Sequence, residues 1–296
     1  MTMDTFGEWE QTVLSYTYDL VDHISMHAYY EELDGDRASF LGSATSMDRF
    51  IRRVVASADA VGARKRSDKQ ITISFDEWNV WYLESRFPGE SNLPLQHQPA
   101  RIIEDVYSGL DAVVLGDLMV TLLNHADRVP VACLAQLVNV IAPIMTEPGG
   151  EAWKQPTYYP FATTARLAQG DVLDVRVQAP TFTTSRHGDV PTVTAAVTWA
   201  GESGSGELGV FLVNRTAEAV EVELRHPGVA LTLGGGTQVT ADHEAAVAGP
   251  EHAAKVAAEH VTTLDAAPVT ASATGTTTVR LAPESWTALS GTATLA

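Results

Sequence analysis

A chain of 296 residues, 45% hydrophobic and 19% charged, is long enough for one large or two medium domains and reads as globular rather than disordered. Its formal net charge of −18 argues against nucleic acid as a partner, because that binding depends on Lys and Arg neutralising phosphates. A neutral ligand is compatible with the acidity, and so is a surface that is acidic only for solubility.

In chain order, residues 1–10 lack both a basic n-region and an apolar h-region, so no secretory signal is visible. Short strands are expected at residues 23–29, 71–77 and 131–138, separated by helices over 47–61 and 103–124. That β/α alternation predicts a parallel sheet. The run 131–145 is the longest apolar stretch, but Gln136, Asn139 and Pro143 interrupt it and it is too short to span a bilayer. Cys133 lies within it and, as the single cysteine, cannot form an intramolecular disulfide. A cytoplasmic protein with no membrane partner is the expectation.

After residue 161 the character changes. Alternating Val, Thr and Leu segments at 172–177, 193–199, 209–213 and 220–224 are broken by Gly-rich turns at 201–206 and 234–236, which predicts an antiparallel β-sandwich. The Ala- and Thr-rich tail 241–278 is read as further sandwich strands and loops, with late strands at 279–281 and 286–289. No internal repeat is apparent. Asn214-Arg215-Thr216 matches a glycosylation sequon and is read as a chance match at a strand end.

The richest stretch is Ile71-Thr72-Ile73-Ser74-Phe75-Asp76-Glu77-Trp78-Asn79-Val80-Trp81-Tyr82, a β-branched strand ending on an acid among aromatics. On a period-two strand Ile71, Ile73, Phe75 and Glu77 share a face, so Glu77 is expected beside the apolar row. Asp76 then points the other way, toward outer helices, in a structural role. In a parallel barrel the C-terminal end of such a strand is the catalytic face. On pattern alone a buried structural acid, with Trp78 and Trp81 as ordinary core, competes evenly with a catalytic carboxylate. His23, Ser25, His27 and Tyr29 share one strand face, and a lone histidine such as His27 is more often a satisfied core group. No metal is expected, since no nearby Cys or carboxylate completes a tetrahedral set with His23 and His27.

The Phe75-Asp76-Glu77-Trp78-Asn79-Val80-Trp81-Tyr82 run resembles the nucleophile motif of the α-L-arabinofuranosidases of glycoside hydrolase family 51. Two further segments resemble that family in the same order: Asp22-His23-Ile24-Ser25-Met26-His27-Ala28-Tyr29-Tyr30 before it, and residues 125–144 after it, including Ala135-Gln136-Leu137-Val138-Asn139. The resemblance is strong over residues 19–161 and weak beyond.

It implies α/β plus all-β architecture: at residues 1–164 about the last three strands of a (β/α)8 TIM barrel, and at residues 165–296 an antiparallel, jelly-roll-like β-sandwich. It further implies a retaining hydrolase that removes terminal non-reducing α-L-arabinofuranosyl residues from oligosaccharides, without a cofactor. Glu77 stands at the nucleophile's position, His27 and Tyr29 at positions that contact sugar and nucleophile, and Gln136 where a glutamine hydrogen-bonds the arabinose. From residue chemistry alone, Gln136 remains open to a structural reading. Trp153 is open to two readings, sugar stacking and domain packing. Members of the family tend to form homo-oligomers.

One feature departs from the family. Its acid/base glutamate belongs to an Asn-Glu dipeptide on an earlier strand, and this chain contains none. Two expectations follow. In the first, the chain is the C-terminal part of an arabinofuranosidase, completed by earlier barrel strands on another polypeptide or encoded upstream. In the second, it is a non-catalytic truncated product whose sandwich serves as a carbohydrate-binding or interaction module. Unpaired parallel strands invite aggregation unless covered, which favours the first.

Overall fold

The structure, a computed structural model, describes residues 7–83, 103–242 and 248–295. The first layer comprises α1 (Glu8–Thr17), β1 (His23–Tyr30), α2 (Arg37–Leu41), α3 (Ser43–Lys65), β2 (Thr72–Val80), α4 (Gly109–Asn124) and β3 (Val131–Leu134). The three strands form a parallel sheet in the order β1-β2-β3. Ile24, Met26, Ile73 and Phe75 are buried on one face, with the Phe75 ring edge-on to Phe50 of α3. On α3 the buried residues Met47, Ile51, Val54, Ala58 and Val61 recur at helical spacing and form the stripe that meets this face.

α4 starts at residue 109, not at 103 as periodicity suggests, because Ser108 caps it. The Ser108 hydroxyl accepts from the Asp111 N–H at 3.2 Å, and Asp111 accepts from the Ser108 N–H at 2.7 Å. It is buried on every side from Gly109 to Leu122 apart from Met119, as a helix between two layers must be. The hairpin β4 (Ile144–Thr146) and β5 (Ala152–Lys154) and then α5 (Tyr158–Leu167) lead into the sandwich, so the expected domain boundary at 164/165 falls inside a helix.

The sandwich elements are β6 (Asp171–Val172), β7 (Thr181–Thr184), β8 (Gly188–Pro191), β9 (Val193–Glu202), β10 (Ser205–Asn214), β11 (Val220–Arg225), β12 (Val229–Thr240), α6 (Pro250–His260), β13 (Val261–Leu264), β14 (Val269–Ala273), β15 (Thr276–Leu281) and β16 (Ser285–Leu295). An antiparallel six-stranded sheet, β13-β12-β16-β10-β9-β6, faces a three-stranded one, β11-β15-β14. Ala195, Val210, Leu212, Val279, Leu281 and Leu289 fill the space between them. The other face of the large sheet contributes Phe211, Val213, Val239 and Trp286 to the same core as α4 and the parallel sheet. A Cβ on Gly116 of α4 would overlap the Trp286 ring, so glycine is what lets helix and sheet approach.

Four expectations need correcting. The strand expected over 131–138 stops at Leu134. Of the strand expected over 172–177, only Asp171–Val172 pairs, and Leu173, Val175 and Val177 are exposed beyond it. Gly234, Gly235 and Gly236 are not a turn: they form a bulge inside β12, where a Cβ on Gly236 would overlap the Ala288 carbonyl. The tail read as strands and loops contains α6, which starts on Pro250 and buries Ala253 and Val256, the alanines favouring helix where local packing allows it. Part of that tail, residues 243–247, lies outside the described residues. The turn expected at 201–206 is present as a tight link between β9 and β10 through Ser203 and Gly204, both at positive φ.

Candidate active site

The site is created by an irregularity in β2. Ser25 pairs with Ser74, but two residues later His27 pairs with Glu77, three residues on. The same slip is seen from β3, where Phe75 pairs with Ala132 and Trp78 with Leu134. β2 therefore carries one extra residue relative to both neighbours, a β-bulge at Asp76-Glu77. Its consequence is that both carboxylates turn to the open polar face of the sheet, beside Ser25, His27 and Tyr29. The strict period-two reading, with Glu77 on the apolar side and Asp76 toward the helices, is thereby overturned. Ile73 and Phe75 pack on the helix side, and Trp78 is core rather than a wall beside the acid.

Three of the four expected site residues come together. The Tyr29 hydroxyl donates to Glu77 Oε1, and His27 Nδ1 lies 3.4 Å from Glu77 Oε2. The Tyr29 ring is itself held edge-on to Trp81, centroids 4.7 Å apart. Burial, then the hydrogen bond to Glu77 and its charge, push the Tyr29 hydroxyl well above the ordinary phenol range, so it remains a donor. Gln136 stands outside this hydrogen-bonded set. It is exposed, two residues beyond the end of β3, at the same C-terminal end of the sheet.

Sequence reasoning missed three contributors. Asp76 accepts from the Ser25 hydroxyl at 2.7 Å, and its Oδ1 lies 3.8 Å from His27 Nε2. Desolvation raises its carboxyl, but hydrogen bonds from Ser25 and the backbone, with the nearby His27, outweigh this and hold it below the usual carboxylate range. Asn79 is buried; its amide donates to the carbonyls of Ala135, at 2.5 Å, and Ile141, fixing the segment that carries Gln136 to the end of β2. The adjacent acids Asp76-Glu77 were the available signal, and the bulge that gives both a role was not. Among the described residues, no group of three or more His, Cys, Asp or Glu side chains is placed to hold a metal ion.

Behind the site, Tyr82 follows β2 and ties it to the sandwich junction. Its hydroxyl donates to Asp111 at 2.6 Å and its N–H to Asp105 at 2.9 Å. Asp242 accepts from the Gly109 N–H at 3.1 Å, and Arg37 pairs with Glu284 while donating to the Asp242 carbonyl. Burial, with a smaller contribution from Asp242, pushes the Asp111 carboxyl up to about 6.

Parallel β/α strands presenting a clamped carboxylate at their C-terminal ends, followed by an antiparallel sandwich, have the architecture of the last strands of a β/α barrel joined to a sandwich domain. Residues 76–295 match the family described as α-L-arabinofuranosidase C-terminal domain, and the chain belongs to that family, within glycoside hydrolase family 51. It is 54% identical over 233 residues to an intracellular exo-α-(1→5)-L-arabinofuranosidase of Streptomyces lividans, covering 78% of this chain and 34% of that protein. With an exo-α-(1→6)-L-arabinofuranosidase of Bifidobacterium longum the identity is 47% over 298 residues, covering 97% of this chain and 55% of that one.

A solved family 51 α-L-arabinofuranosidase from Bifidobacterium longum superposes with a TM-score of 0.82 at 38% identity, over 97% of this chain and 56% of that one. The arabinose complex of the Thermotoga maritima α-L-arabinofuranosidase, at 23% identity and TM-score 0.74, shares the fold. The chain thus spans between about a third and about half of the length of these curated relatives. Among the described residues no helix is long and apolar enough to cross a membrane.

Proposed function

We propose that this chain carries the nucleophile half of a retaining α-L-arabinofuranosidase site, acting on terminal non-reducing α-L-arabinofuranosyl groups. The observation that carries this reading is Glu77, held at the C-terminal end of β2 between Tyr29 and His27. Tyr29 fixes one carboxylate oxygen. The other, beside His27, attacks the anomeric carbon as the bond to the aglycone oxygen breaks, giving a glycosyl ester on Glu77. Water then cleaves the ester and returns the carboxylate. Gln136, exposed at the same end of the sheet, is assigned to hydrogen-bond the sugar's hydroxyls, as the family resemblance implies.

Retaining chemistry also needs a proton donor roughly 5–5.5 Å from the nucleophile. Asp76 does not fill that role, because its hydrogen bonds favour the ionised form. The donor is proposed to come from barrel strands preceding the segment described here, on the same or a complementing polypeptide. The reading is tested without it. A 2,4-dinitrophenyl α-L-arabinofuranoside leaves as a stable phenolate and needs no proton. Purified chain is expected to release a stoichiometric burst of phenolate followed by a slow phase, and Glu77→Gln to release none. Equal release by both proteins, or none from folded wild type, would refute the proposal.

A further inference from the structure

We infer that Asp76 is a positioning residue for the nucleophile, acting on Glu77 through Ser25 and His27; this rests on the reading of Glu77 given above. The bulge in β2 is what places the two neighbouring acids on one face, with the His27 ring between them. The Ser25 hydroxyl has one proton, and it is committed to Asp76 Oδ1 at 2.7 Å. Toward His27 Nε2, 3.3 Å away, Ser25 can therefore only accept. Nε2 must carry a proton to meet Ser25, and Asp76 behind it at 3.8 Å adds attraction to that N–H.

The opposite ring nitrogen, Nδ1, faces Glu77 Oε2. Asp76 thus sets the rotation of the imidazole whose other nitrogen lies 3.4 Å from Glu77 Oε2. A histidine whose far nitrogen is anchored by a carboxylate or hydroxyl is oriented in this way at many reactive centres. Asp76 touches neither substrate nor Glu77 in this account. Other titratable groups on the same face are His23, which pairs with the Thr72 hydroxyl at 2.6 Å, and Tyr29, which is committed to Glu77. Asp76 and His27 both have about half of their side-chain surface exposed, so substitutions at either leave the core intact.

The test is a double-mutant cycle on the burst rate with the dinitrophenyl arabinofuranoside. Asp76→Asn keeps the shape and removes the charge, and Ser25→Ala removes the bridge. Each of Asp76→Asn and His27→Ala is expected to slow the burst about tenfold, while the pair together is no slower than His27→Ala alone. Multiplying effects, or Asp76→Asn at the wild-type rate, would overturn the inference while leaving Glu77 as nucleophile.

A second readout is independent of turnover. The imidazole 15N resonances of His27 are expected to move in Asp76→Asn and in Ser25→Ala, with the thermal midpoint unchanged. If wild type shows no burst, the functional reading fails by itself, and these resonances decide the coupling: unmoved shifts reject it.

Discussion

Tyr29 does two things for Glu77 with one hydroxyl. It fixes one carboxylate oxygen, and it leaves the other oxygen facing His27 on the open side of the sheet. Tyr29→Phe removes this bond while keeping the ring against Trp81, so the burst rate is expected to fall by about tenfold to a hundredfold with the fold unchanged. A wild-type burst rate in Tyr29→Phe would mean that the hydroxyl is ornamental. By resemblance the sequence offered Glu77, His27, Tyr29 and Gln136 as site residues, and the structure brings the first three together. Asp76 was illegible for a specific reason: strand parity assumes two residues per repeat, and the extra residue in β2 reverses it at the one point that matters.

Among the elements, α4 links the site to the sandwich. Its first turn holds Asp111, whose carboxyl sits at about 6 against an ordinary 3.8 because it is buried. An acid whose folded pKa is raised binds its proton more tightly in the native state, so its contribution to stability is greatest below 3.8 and falls as pH rises toward 6. The loss is about 3 kcal/mol across that window, about 1.4 kcal/mol for each pH unit.

Denaturant unfolding of wild type and Asp111→Asn at several pH values isolates the loss of this acid's charge, together with its coupling to Asp242. The stability difference, wild type minus variant, is expected to decline between pH 4 and 6 and then level off. Parallel profiles would contradict it. The alternation of strands and helices that frames α4 was legible in the sequence; its start was not, because periodicity continues past the Ser108 cap. In α6, alanine-rich sequence misled for the opposite reason, since composition suggested strands and loops while propensity favoured helix.

Over the whole molecule, the parallel sheet and the sandwich share one continuous core across α4, with the Asp117–Arg215 ion pair at its boundary. Both side chains are only 2% exposed, 2.7 Å apart, and Asp117 also accepts from the Thr194 hydroxyl at 2.6 Å. Removing one partner strands a buried charge, so Asp117→Ala is expected to cost about 3–5 kcal/mol. Because the core is shared, unfolding should remain a single transition seen alike by tryptophan fluorescence and far-ultraviolet dichroism. Two separated transitions in wild type would show that the layers fold independently. Neither this ion pair nor the Gly116–Trp286 fit could be read from the sequence, since each joins residues far apart in the chain with no motif to link them.

The most direct measurement is to locate the sugar. Wild-type chain exposed to the dinitrophenyl arabinofuranoside, quenched in acid during the slow phase, is digested and its peptides are weighed and fragmented. An arabinosyl ester is expected on Glu77 and on no other residue. A sugar carried by a different side chain, or an unmodified Glu77 after a phenolate burst, would contradict it.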